Sequence, residues 1–231
     1  MTGWSDIITS AMQIIDDARW RDELANSPAQ FYRAKSQTLL FALPTMSRPP
    51  ELLEALQNGM AAPSYDDFIY LSPEDTEEGE HITVNTGLVG FELMSVVLRS
   101  EDGMEISPVK VISYDAATGE TTIEMPEAGE REYSFDAYTD GTFHDLTPSQ
   151  IRLFSMAIAV VWDERFQRDY LANTMKIKDQ SFQTVNESNY MKVSTSRYTT
   201  NKAAFEDALR KYEQLCTYET VVRNRPKTRL I

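Results

Sequence analysis

The chain has 231 residues, 42% of them apolar and 10% aromatic, which is enough to bury a core as one domain or as a helical body carrying an insertion. A formal net charge of −14 argues against DNA wrapping or anionic-membrane binding as the job of the whole surface. A lone Cys216 allows no internal disulfide and fits a reducing compartment, while residues 1–6 lack a basic region and the longest apolar run, 156–162, is too short to span a bilayer, so a soluble chain without an export signal is expected.

The first third reads as helical. Ser5 is the expected cap of a helix whose apolar face is Ile7, Ile8, Ala11, Met12, Ile14, Ile15 and Ala18, ending near Arg21. Ser27-Pro28-Ala29-Gln30 starts a second helix with a hydroxyl at the cap, a proline where its missing N–H costs nothing, and a glutamine able to reach back. It carries Phe31, Ala34, Leu39, Leu40, Phe41 and Leu43 before Pro44 stops it. Pro49-Pro50-Glu51 opens a short helix through Leu52, Leu53 and Leu56, closed by Asn58-Gly59.

From Tyr65 the period becomes alternating and turn residues recur. Strands are predicted over 68–71 and 81–84 around an acidic loop at 74–80, then over 91–99 and 104–114 joined across Asp102-Gly103, over 120–125 after a hairpin loop at 115–119, and over 133–138, with Asp140-Gly141 as a further hairpin turn before Phe143. The simplest arrangement is an antiparallel β-meander or small barrel inserted at about 65–145. The charge follows the same boundary: residues 49–146 hold 22 acids against Arg99, Lys110 and Arg131, a balance of −19, whereas 147–231 hold nine acids against 14 bases, a balance of +5. Two surfaces with different neighbours are expected.

The clearest start signal is Thr147-Pro148-Ser149-Gln150, a capping box ahead of the densest apolar segment. It predicts a central helix over about 147–174, with Ile151, Phe154, Ile158, Val161 and Trp162 as its core-packing residues. Residues 175–201 are polar and carry no clear period. A final helix is predicted from about Asn201 to Val222 on the stripe Phe205, Ala208, Leu209, Tyr212, Leu215 and Cys216. Residues 223–231 hold Arg223, Arg225, Lys227 and Arg229 without an acid, with Pro226 forbidding helix and Leu230 and Ile231 following. This segment has no means of folding alone and reads as an extended docking peptide rather than a frayed end, because its last two residues are apolar. The organisation expected is α+β: a helical body over 1–60 and 147–222, an inserted acidic β domain over 61–146, and an extended basic tail over 223–231.

Candidate chemistry is thin. His81 and His144 lack a cysteine or second histidine at metal-ligand spacing, Cys216 lies on an apolar stripe without a cationic neighbour, and the acids at 74–80 lack the alternation of a calcium loop. No glycine pattern follows a strand and opens a helix. The sequence therefore predicts no catalytic residue, no metal and no cofactor, and the reading is of a non-enzyme.

In this order of elements the chain resembles the head-to-tail connector proteins of tailed bacteriophages, the adaptor ring beneath the portal. The resemblance is one of layout: N-terminal helices, a β insertion, a helix after a Pro-containing cap running through Asp163-Glu164-Arg165-Phe166, a polar stretch, and a closing helix containing Lys211-Tyr212-Glu213-Gln214-Leu215-Cys216. It implies a structural virion protein, assembled in the host cytoplasm, that forms a homo-oligomeric and typically twelvefold ring. It further implies portal and tail or neck proteins as partners, DNA passing through without specific binding, no membrane, and portal docking by Arg223, Arg225, Pro226, Lys227, Arg229, Leu230 and Ile231. The alternatives are a phage tail-completion or baseplate protein and, in another class, a cytosolic acidic protein-binding module.

Overall fold

The computed structural model describes residues 1–46, 48–99, 106–177 and 185–223. The fold is α+β with antiparallel sheets. In chain order the elements are β1 (Thr2–Gly3), α1 (Trp4–Ile15), α2 (Ala18–Asn26), α3 (Pro28–Ala42), a 3₁₀ turn (Leu43–Met46) and α4 (Pro50–Gln57). There follow β2 (Ser64–Leu71), β3 (His81–Asn85), β4 (Leu93–Arg99), β5 (Ile106–Val109), β6 (Val111–Asp115), β7 (Glu120–Glu124), β8 (Glu132–Thr139), β9 (Thr142–Phe143), α5 (Pro148–Ile177) and α6 (Val185–Arg223).

The helix-start signals meet different fates. At α5 the capping box forms as predicted: the Thr147 N–H donates to Gln150 Oε1 at 2.8 Å and the Gln150 N–H donates to Thr147 Oγ1 at 3.3 Å. At α3 the same sequence pattern does not close on itself. Ser27 Oγ sits 3.1 Å from Ser95 Oγ on β4, and the Ala29 N–H at the open helix end donates to Ser95 at 3.3 Å, so a strand hydroxyl serves as the cap. The single first helix expected to reach Arg21 is two helices, because Asp16 adopts the left-handed conformation at φ 45°, one of the few residue types that tolerates it, and Asp17 then caps α2 through Arg19 N–H at 3.1 Å. Ser5 is not the cap of α1: Gly3 is, and Ser5 Oγ donates to Asp140 at 2.6 Å. Gly59 has no left-handed φ to serve a helix end; a side chain there would collide with the His144 ring.

The β region is neither a meander nor a barrel. Its strands form a four-stranded sheet ordered β2-β8-β4-β5 and a three-stranded sheet ordered β3-β7-β6, while β9 pairs with β1, not with β8 across Asp140-Gly141. The strand expected over 104–114 is two strands that change sheet at Lys110, where the Glu124 N–H takes the Lys110 carbonyl at 3.1 Å. Pro108 lies in β5, at a sheet edge where its missing N–H costs no ladder bond. The turn expected at Asp102-Gly103 falls outside the described residues.

Strand register separates two cores. On one face of the four-stranded sheet, Val96, Leu98, Tyr133, Phe135 and Ala137 pack with Val84, Val109, Ile123 and Met125, joined by Phe68, Tyr70, Ile82 and Val111. The opposite face, by the period of two, carries Tyr65, Ser95, Asp136 and Tyr138 toward α3. The helical core is a separate cluster in which Trp4, Ile7, Ile8, Ala11, Trp20, Phe31, Leu39 and Phe143 surround Phe154, Ala157 and Ile158 of α5. Phe143 stacks on Trp4 at 5.6 Å and meets Phe154 edge-on at 5.4 Å, joining β9 to both helices.

Two cores meeting across a polar surface predict that the sheets can be removed. Ser64 and Thr139 are cross-strand partners, so residues 65–138 can be replaced by a short Gly/Ser linker. The expected product keeps its helical circular dichroism and melts cooperatively; loss of all helical signal would show that the helices depend on the sheets.

Candidate functional site

The seam between α3 and the sheet is built from polar groups, with Asp136, Ser36 and Tyr138 buried and Gln30, Tyr32 and Tyr65 half-buried. Asp136, 1% exposed, accepts from Gln30 Nε2 at 2.6 Å and from the Tyr65 hydroxyl at 2.8 Å. The Arg33 guanidinium lies 3.4 Å above the Tyr65 ring. Farther along, the Tyr138 hydroxyl donates to Asp140 at 3.2 Å and lies 3.2 Å from Ser36 Oγ, while its ring stacks on Tyr32 at 5.7 Å. Desolvation is the largest influence on each phenol, pushing Tyr65 and Tyr138 above the ordinary tyrosine range, so both remain protonated donors at neutral pH.

Burial also raises the Asp136 carboxyl, outweighing the hydrogen bonds from Tyr65 and Gln30 that lower it. With a raised value in the folded state, the protein binds that proton more tightly than the unfolded chain does. Stability is then greatest with Asp136 protonated and declines as pH rises from the ordinary carboxylate range through the folded value. Asp136→Asn keeps the shape, can accept from Tyr65, and can pair with Gln30 after its amide turns over. The variant is expected to lose this pH-dependent decline and to melt higher than the native chain at neutral pH. Parallel melting curves across pH 4–8 check it, and an unchanged pH profile would count against the assignment.

The helical half holds two more buried charges. The Lys35 ammonium sits 2.5 Å from Glu23 and lies 4.8, 4.9 and 5.4 Å from the rings of Trp20, Trp162 and Phe31. Asp163, 1% exposed, pairs with Arg197 at 2.5 Å and accepts from Asn201 at 2.9 Å, and Arg197 Nη1 reaches the Ile15 carbonyl at 3.5 Å. The helix expected from about Asn201 starts at Val185, and these contacts anchor it ahead of Asn201, at Arg197. Hydroxyls that weaken a helix in water are used internally, Thr199 donating to the Thr195 carbonyl at 2.8 Å, while Arg197, Tyr198 and Asn201 are anchored on the buried half of α5 and its surroundings.

The acidic surface is solvent-facing. Asp66 and Asp67 on β2 and the acids at 74–80 are exposed, whereas Ser72 and Thr76 are buried and hold the loop: Ser72 Oγ donates to the Gly129 carbonyl at 2.8 Å and the Gly129 N–H donates to the Thr76 carbonyl at 3.0 Å. The three bases of the β region each face an acid, Arg99 with Glu132 at 3.3 Å, Lys110 with Glu124 at 2.6 Å and Arg131 with Glu127 at 3.0 Å. The remaining carboxylates are therefore uncompensated within the region.

Of the residues predicted to pack the α5 core, Phe154 and Ile158 are fully buried, whereas Ile151, Val161 and Trp162 are half-buried at the margin of the cluster. Leu153, Ala157 and Val160, which continue the apolar surface around the helix, are buried with Ala159, and Trp162 serves as an edge-on partner of Trp20 at 5.1 Å. Arg223 closes α6, and Arg225, Pro226, Lys227, Arg229, Leu230 and Ile231 lie outside the described residues. Asp136, Lys35 and Asp163 were not singled out by sequence. The available signal was slight: Asp163 follows the apolar run directly, and Asp136 interrupts an otherwise uncharged strand core.

His81 is exposed at the start of β3 and His144 packs over Gly59. Among the described residues no cluster of three His, Cys, Asp or Glu has the arrangement of a metal site, and no helix is long and apolar enough to cross a membrane. On the outer face of α6, Leu215 and Tyr218 are 61% and 68% exposed beside a shallow depression lined by Arg210, Glu213, Gln214 and Thr217. No protein-family model matches the chain, and no curated protein or solved structure does.

Proposed function

We propose that the chain is a structural virion protein, a head-to-tail adaptor whose copies form a ring beneath the portal of a tailed phage and enclose part of the DNA channel. The observation that carries this reading is the segregation of charge: a balance of −19 over residues 49–146, with Asp66, Asp67 and the acids at 74–80 exposed, against a balance of +5 over residues 147–231. A conduit must pass DNA without gripping it, and a ring of uncompensated carboxylates repels phosphate by the same electrostatics through which cationic surfaces bind it. In this reading α5 is the central helix of a bundle body that packs between subunits, the sheets face the tail, and the portal and tail or neck proteins are the neighbours. Electron microscopy of the purified protein tests it: closed rings, typically twelvefold, are expected, and a monodisperse monomer that also fails to attach to DNA-filled heads would overturn it.

A second reading, an acidic protein-binding module, is favoured by one observation, the acid-flanked free edge of β2. The two readings part at the basic segment. Truncation after Val222 is expected to leave folding and melting nearly unchanged while abolishing attachment to the head, and changing Arg223, Arg225, Lys227 and Arg229 to Gln is expected to weaken attachment and flatten its salt dependence. If the truncated protein attaches as efficiently as the full chain, the docking element lies elsewhere, with 175–200 the next segment to test.

A further inference from the structure

β2 is the outermost strand of its sheet. β8 occupies one side along its whole length, from Ser64 opposite Thr139 to Leu71 opposite Glu132, and no described residue pairs with the other side. Such an edge is a template for another strand, and proteins ordinarily guard it with lysine, proline, a bulge or a covering element. β2 has a regular register without a bulge and contains neither lysine nor proline. It carries Asp66 and Asp67, both exposed and close in sequence to the acids at 74–80, and farther along Ile69 and Leu71, 51% and 57% exposed. Antiparallel pairing of two β2 edges about their centre would set Asp67 of each copy diagonally across from Asp66 of the other on the same face, a like-charge contact on both faces of the sheet. The edge thus rejects its own kind and suits a basic strand with apolar positions.

The chain contains such a strand. Beyond Arg223, which closes α6, Arg225, Lys227 and Arg229 occupy every second position, so an extended backbone would put these three charges on one face, with Asn224, Pro226, Thr228 and Leu230 on the other. A proline is tolerated in a strand where its missing N–H faces away from the ladder, as it can on an outermost added strand. We propose that residues 224–231 of one copy add to the free edge of β2 in a second copy. This rests on the ring reading: a segment that leaves one subunit to pair with the next is a heterologous contact, and such contacts close into rings when the rotation permits.

Charge reversal on full-length protein tests it. Asp66→Lys with Asp67→Lys makes an edge that repels the native segment, and Arg225→Glu with Lys227→Glu and Arg229→Glu makes a segment that repels the native edge. Each variant alone is expected to need about tenfold or more higher concentration to assemble, as measured by light scattering after size exclusion. Mixed together they are expected to assemble like the native chain, because each one's segment then complements the other's edge. Equal assembly by either variant alone, or no rescue on mixing, would overturn the proposal. A labelled synthetic peptide of residues 224–231 separates its failure from failure of the ring reading. Titrated into the segment-reversed variant, the peptide is expected to bind and to lose at least about tenfold in affinity when Asp66→Lys and Asp67→Lys are added. Binding without rings in the native protein would leave the edge contact standing and remove the ring, whereas rings without peptide binding would remove the edge contact alone.

Discussion

Ile158→Asp is expected to prevent folding. Ile158 is fully buried on α5 within the cluster of Trp4, Ile7, Ile8, Phe143 and Phe154. Leaving an unpaired carboxyl there costs several kcal/mol, and loss of the isoleucine packing adds about 2–5 kcal/mol, against a total stability of about 5–15 kcal/mol for a protein of this kind. The variant should be insoluble or show no cooperative melt by circular dichroism. Ile158→Val, removing one methylene, should cost only about 0.5–1.5 kcal/mol and retain the melt. A soluble Ile158→Asp protein with a native-like transition would mean that this face of α5 is peripheral.

Asp163→Ala should be the most damaging change at a charged residue. It leaves Arg197 without its counter-ion and Asn201 without its acceptor at a place where Asp163 itself is nearly inaccessible. Removing one partner of a buried ion pair costs about 3–5 kcal/mol; the Arg197 side chain is 33% exposed, so water can recover part of its charge and the lower end applies. In a double-mutant cycle Arg197→Met is expected to be less harmful in the Asp163→Ala background than in the native one, because the second change removes the stranded cation. A loss below about 0.5 kcal/mol for Asp163→Ala would show that the pair does not hold α6 to α5. The same cycle read by hydrogen exchange should show opening concentrated in the first part of α6.

Local signals in the sequence carried part of this fold. The Thr147-Gln150 box, the apolar density that follows it, the proline stop at Pro44 and the proline start at Pro50 are decided within a few residues, so they formed where the pattern placed them. The change from a helical to an alternating period placed the strands, and the −19 balance of residues 49–146 needed only counting. Composition alone likewise marked residues 223–231 as basic; Arg223 nevertheless closes α6, and the remainder lie outside the described residues.

Pairing was another matter. An alternating strand does not encode its neighbour, so the hairpin reading gave a meander where β2 in fact joins β8, some sixty residues later, and β3 joins β7. Which polar groups would be buried was equally invisible, because Ser27 and Gln30 satisfy a local cap in one context and a strand's Ser95 and Asp136 in another, and only the docking of α3 on the sheet selects between them. The polar stretch leading into α6 shows the same dependence. Its Ser, Thr and Asn content argues for coil in water, and the helix there is held by Asp163 on a different element, a partner that exists only once the chain has folded.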